Sequence, residues 1–161
     1  MYKVLFLLII SLFFVSCSEK NNAFKYFDKD DVETKGVQYT KKTDILKENE
    51  VDVIFLATYL NRVDKNISNS NEQLFLVSVY FTNKDSQDIF ENNYSFSLNG
   101  VEAISTQKVE KDNENFKSLM LKNSWGNYYL VKFNSQDVYN LRILLKNQNA
   151  TSTAALNFEK E

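Results

Sequence analysis

Cys17 is the single cysteine of the chain, and its thiol is the most reactive group the sequence offers. With no second cysteine it cannot close an internal disulfide, so burial and hydrogen bonding alone must hold the fold. There is no histidine. That removes Ser-His-Asp and Cys-His catalysis, H-E-x-x-H zinc binding and imidazole switching near neutral pH. What stays open is the chemistry of carboxylates, lysine, tyrosine and serine. Asp28, Asp30, Asp31 and Glu33 offer clustered oxygens to a hard cation. An EF-hand loop, however, needs a ligand at its fifth position and glycine at its sixth, where Val32 and Glu33 stand. Glu110, Asp112 and Glu114 form a second acidic group in the charged stretch 108–115. Both read as solvated surface, the first with helix-capping character. A carboxylate pair could hydrolyse glycosides without histidine, yet every candidate lies in a polar loop with no sign of a pocket. The sequence therefore predicts no catalytic residue, no metal site and no cofactor.

The surroundings of Cys17 give it a different role. Met1-Tyr2-Lys3 is followed by the apolar run from Val4 to Ile10, Ser11, and Leu12 to Val15, with Ser16 before the cysteine. A charged start, an apolar middle and a small residue at a cleavage point are the layout of a signal peptide. About a dozen apolar residues fall short of the ~20 needed to cross a bilayer. Phe14-Val15-Ser16-Cys17 resembles the bacterial lipobox, with phenylalanine where leucine is usual. In that motif the cysteine thiol is diacylated, the signal is cut before it, and the new amino terminus is acylated. Several acyl chains give stable membrane attachment where one gives only marginal binding. Residues 1–16 are thus read as the lipoprotein signal, 17–23 as lipidated cysteine and tether, and 24–161 as one domain. Ser18, where aspartate would retain such a protein in the inner membrane, points to the outer membrane.

A sandwich of short strands is the architecture predicted for the mature chain. Residues 31–36 suggest a turn or two of helix, capped by Asp30 or Asp31 and stopping near Gly36. From Tyr39 onward, β-branched and aromatic runs alternate with Asn, Asp, Ser and Gly clusters. Residues 39–46 and 51–61 flank a polar turn, and 51–60 is apolar on both faces, as in a central strand. Phe75, Val77, Val79 and Phe81 share one face of a strand. Asn99-Gly100, between 94–98 and 101–105, is the strongest short hairpin signal, because both central positions of a type I′ turn need positive φ. After the 108–115 loop comes 116–121, to which the pattern assigns no element. Three more strands follow, 128–133, 139–145 and 152–158, at the spacing of an all-β sandwich. Trp125 with Tyr128 and Tyr129 reads as core packing around a turn, in preference to an exposed aromatic patch.

Two resemblances follow from these residues. The stretch 133–143 resembles the corner entering the penultimate strand of immunoglobulin-like and fibronectin type III sandwiches, where a tyrosine bonds backbone a few residues upstream. It implies an antiparallel, immunoglobulin-like β-sandwich with Tyr139, Leu141, Ile143 and Leu145 turned to the core, faced by Ala154, Leu156 and Phe158 on the last strand. The Phe14 to Cys17 motif, Tyr26-Phe27-Asp28, Gln38-Tyr39-Thr40-Lys41-Lys42 and Ala57-Thr58-Tyr59-Leu60-Asn61 together resemble short lipoproteins of Campylobacter-type epsilonproteobacteria. That resemblance implies an envelope address and no known reaction. It also motivates a search for the bacterial N-glycosylation sequon Asp/Glu-x-Asn-x-Ser/Thr. Asp64-Lys65-Asn66-Ile67-Ser68 and Glu91-Asn92-Asn93-Tyr94-Ser95 both fit. Asn66 lies in a polar loop suited to an acceptor, while Asn93 sits just before a strand.

Charge excludes one partner class. A net charge of −2, from 19 basic and 21 acidic residues, supplies no field for a phosphate backbone, so nucleic acid is not expected. The expectation is a lipid-anchored envelope protein whose sandwich is a non-catalytic binding or structural module, with an envelope protein or glycan as partner. The alternative is a carrier or chaperone for an apolar ligand or envelope lipid, with its cavity between or beneath the sheets. An apolar pocket of roughly 300 Å³ or more would favour the carrier, and a filled core the interaction module.

Overall fold

A computed structural model describes residues 31–64, 71–121, 125–149 and 151–160. The signal and tether, Cys17, residues 24–27, Asp28, Asp30 and Asn66 lie outside the described residues. The chain opens with helix α1 (Asp31–Gln38), then β1 (Thr40–Lys47) and β2 (Glu50–Tyr59). A single helical turn, α2 (Leu60–Val63), leads on toward β3 (Glu72–Phe81). Next come β4 (Tyr94–Leu98), β5 (Val101–Glu102) and β6 (Ser105–Val109). The chain closes with β7 (Asn127–Asn134), β8 (Asn140–Asn147) and β9 (Thr153–Glu159).

The strands form two antiparallel sheets, β1-β2-β3-β7-β6 and β5-β4-β8-β9. Four strands of the first, β2-β3-β7-β6, lie in the order ABED, and the second follows C′CFG. That is the immunoglobulin-like connectivity, with β1 and α1 added at the amino end. The polar turn after β1 and the expected Asn99-Gly100 turn both have positive φ at their two central residues. Glu48 and Asn49 have φ of 53° and 68°, and Asn99 and Gly100 have 49° and 86°.

Period-2 alternation fills the space between the sheets. Val53, Phe55, Ala57 and Tyr59 from β2 meet Phe75, Val77, Val79 and Phe81 from β3, and Tyr129, Val131 and Phe133 from β7. Facing them are Phe96 and Leu98, then Leu141, Ile143 and Leu145, then Ala154, Leu156 and Phe158. Phe75 sits at the centre, with ring centroids 5.0 Å from Tyr59, 5.4 Å from Phe158 and 5.9 Å from Phe133. Such offset and edge-on pairs add to simple area burial.

Four expectations need correction. Tyr139 is 62% exposed and donates to the Glu159 carboxylate at 3.2 Å, because β8 begins one residue later. The corner is held by side-chain amides and a lysine. Asn99 Nδ2 donates to Gln136 Oε1, Gln136 Nε2 to the Leu98 carbonyl, and Lys160 Nζ to the Gln136 carbonyl. Stretch 101–105 is not one strand either: the chain leaves the second sheet after Glu102 and joins the first at Ser105. Helix α1 runs two residues past Gly36, whose lack of a side chain serves a close approach described below. Finally, Tyr128 and Tyr129 are buried, but Trp125 is 45% exposed and packs edge-on against Tyr80 at 4.8 Å.

Candidate binding cleft on the outer face of the five-stranded sheet

Residues between those that face the core point to the opposite side of the first sheet. On an ordinary surface sheet these would be polar. On β3 they are Leu74, Leu76 and Ser78, all buried, so eight of its ten positions are shielded from water. The cover comes from the connection between β6 and β7. Phe116 and Met120 pack with Leu74, Leu76, Val109 and Tyr128 as a second apolar cluster outside the sandwich. The Leu121 N–H donates to the Tyr128 hydroxyl at 2.7 Å, pinning the end of this segment to β7.

Helix α1 covers the other flank. Thr40 Oγ1 donates to the Gly36 carbonyl at 2.6 Å, tying the helix to the start of β1. Lys35 pairs with Asp31 one turn earlier at 2.6 Å, and the Arg62 guanidinium lies 5.1 Å from the centre of the Tyr39 ring. Gly36 is buried, and a Cβ there would overlap Leu119 Cδ2. Helix and segment therefore approach so closely that a side chain at Gly36 would make the Leu119 tip shift.

Between them lies a cleft of about 950 Å³. Its floor is two cross-strand rows, Thr40-Thr58-Leu76 and Leu56-Ser78-Tyr128. Its walls include Glu33 and Val37 on one side and Lys117, Leu119, Met120 and Leu121 on the other. Three of the floor hydroxyls are engaged within the protein: Thr58 Oγ1 lies 2.6 Å from Thr40 Oγ1, and the Tyr128 hydroxyl accepts from the Leu121 N–H. Burial raises the Tyr128 pKa above the usual tyrosine value, partly offset by the Leu121 N–H and the Ser78 hydroxyl, so the phenol is neutral at physiological pH.

Among the described residues, Glu33 is the one carboxylate lining the cleft. The acidic groups singled out above are dispersed: Asp31 pairs with Lys35, while Glu110 and Asp112 line a separate hollow of about 410 Å³ near Gly126. Among the described residues no group of three or more Asp, Glu, Cys or His is placed to hold a metal, and no helix is long and apolar enough to cross a membrane. Asn93 is exposed with φ of 58°. Its carbonyl accepts from the Gln148 N–H at 2.8 Å. A sequon acceptor there is held in a turn before β4. The cleft itself escapes motif reading, because its floor comes from four strands and its walls from segments some eighty residues apart in sequence. One signal did exist: β3 carries apolar residues at both phases of the alternation, which requires cover on both faces.

Comparison with protein-family models, curated proteins and solved structures returned no match.

Proposed function

We propose that this chain is a lipid-anchored protein of the bacterial cell envelope, held by acyl groups on Cys17, and that its sandwich is a non-catalytic binding module whose site is the cleft over β2 and β3. The observation that carries the binding role is the cleft itself. At about 950 Å³, with Leu56, Leu76, Leu119, Met120 and Leu121 in its lining, it falls in the size range of small-molecule sites. The space between the sheets is packed with side chains, so the outer face is where a ligand finds room. The carrier role is favoured over a purely structural one by the same volume. A protein or glycan partner is favoured by a different feature, the exposed Trp125 standing on Tyr80, since exposed aromatics of this kind serve as contact anchors.

Native mass spectrometry of the protein released gently from its own envelope tests the binding role. A small molecule bound in a fixed ratio is expected. Bare protein throughout, with no ligand restored by adding an envelope lipid extract, refutes it.

A further inference from the structure

We infer that the cleft takes one hydrocarbon chain, the acyl tail of a single-chain amphiphile, laid across β2, β3 and β7 beneath the contact between Gly36 and Leu119. This rests on the cleft being the binding site proposed above. The first support is shape. The floor is two staggered cross-strand rows, Thr40-Thr58-Leu76 and Leu56-Ser78-Tyr128, each two strand spacings or about 10 Å long and set about 7 Å apart along the strands. A helix, roughly 10–12 Å across with its side chains, is wider than that.

Hydrogen bonding supplies the second support. An extended peptide or a sugar would bring polar groups that need partners once water is excluded. The Thr40 and Thr58 hydroxyls are already bonded to each other and to the Gly36 carbonyl, and the Tyr128 hydroxyl already accepts the Leu121 N–H. Most of what remains for a ligand to touch is apolar, with Leu56, Leu76, Leu119 and Met120 among it. A hydrocarbon chain asks for nothing else.

The rim is the third. Val37 and Leu121 stand 69% and 49% exposed at the cleft margin, apolar side chains that a bound chain would cover. Glu33 and Lys117 also border the opening, so a polar head can stay in water beside charges of either sign.

The test uses the full chain carrying Cys17→Ser, so that no acyl group is attached, with two probes. A diazirine-bearing palmitic acid is photo-crosslinked and its sites are mapped by peptide mass spectrometry; cis-parinaric acid reports affinity by fluorescence. Crosslinks are expected within 33–37 and 117–121. Leu56→Trp, which fills the floor, and Leu121→Glu, which charges the rim without touching the core, should each weaken cis-parinaric acid binding at least tenfold. Tyr139→Phe, outside the cleft, should leave it unchanged. Competition by palmitate and by lysophosphatidylethanolamine tells a free fatty acid from a lysolipid as the source of the tail. Crosslinks confined to residues 1–16, or full affinity in a folded Leu121→Glu variant, would overturn the acyl assignment. If native mass spectrometry still finds a bound small molecule, the binding-module reading survives that failure; if both experiments are negative, both readings fall.

Discussion

Tyr129→Phe removes one oxygen from the middle of the molecule. Tyr129 and Ile89 are both fully buried, and the Tyr129 hydroxyl accepts the Ile89 N–H at 3.1 Å. That bond holds the long connection between β3 and β4 against the sandwich. Phenylalanine keeps the ring and its edge-on contact with Phe90, whose centroid is 6.3 Å away, so the loss is confined to the hydrogen bond. Leaving a buried N–H without a partner costs about 1–3 kcal/mol, more than the net value of a typical bond, because water cannot replace the lost acceptor. A destabilisation of about 2 kcal/mol is expected, read as a lower urea midpoint at constant slope. In heating, that corresponds to a fall of roughly 6–12 °C for a domain of this size. Amide exchange should localise the effect, with the Ile89 N–H losing protection first. Tyr139→Phe is the matched control, since its hydroxyl bonds Glu159 at the exposed surface and its loss should leave the midpoint within error. A Tyr129→Phe loss below about 0.5 kcal/mol, or unchanged exchange at Ile89, would refute the reasoning, because it would mean that the amide finds another partner or water.

Alkaline titration offers a second check. Burial raises the pKa values of Tyr94, Tyr128 and Tyr129 in the folded state. Between the ordinary tyrosine value near ~10 and the raised folded values, the unfolded chain carries fewer protons, so stability falls as pH rises through that window and is fully present below it. Phenolate absorbance should show Tyr94, Tyr128 and Tyr129 ionising above the ordinary tyrosine range while the protein stays folded; titration of all tyrosines together at the ordinary value would contradict this. Gly100→Ala places a side chain at φ of 86° with open space around it, so the whole cost, about 1–2 kcal/mol, is backbone strain measurable by urea unfolding. Cys17→Ala should release the protein from the membrane fraction; if it still sediments with membranes and resists salt, the acyl anchor is wrong. For the sequons, peptide mass spectrometry of native protein is expected to leave Asn93 unmodified, its carbonyl being bonded within a turn, and glycan on Asn93 would show that this turn opens.

The sandwich was legible wherever local chemistry and long-range packing agree. Asn99-Gly100 marks its turn because only such residues take positive φ at low cost, and Phe75, Val77, Val79 and Phe81 mark a buried face because strand side chains alternate. Tyr139 misled because a tyrosine before a strand looks the same whether or not the corner needs its hydroxyl. Here Gln136, Asn99 and Lys160 already hold that corner. The split of 101–105 between two sheets was hidden for a related reason: Ala103 and Ile104 continue the apolar character on both sides of the crossing, and nothing local records a change of partner.

The sequence by itself determined the strand class, the tight turns and the exclusion of histidine chemistry, all of which depend on residue type and near neighbours. It also carries the lipobox-like motif around Cys17. Only the tertiary structure decided that residues 116–121 and helix α1 meet over the far face of the first sheet. That meeting is close at Gly36, where the missing side chain leaves room for the Leu119 tip, and Tyr128 pins it by accepting the Leu121 amide. Contacts between segments so distant in sequence obey shape and hydrogen bonding in three dimensions and leave no periodic trace in one. The cleft they enclose is for that reason the part of the molecule the sequence could not announce.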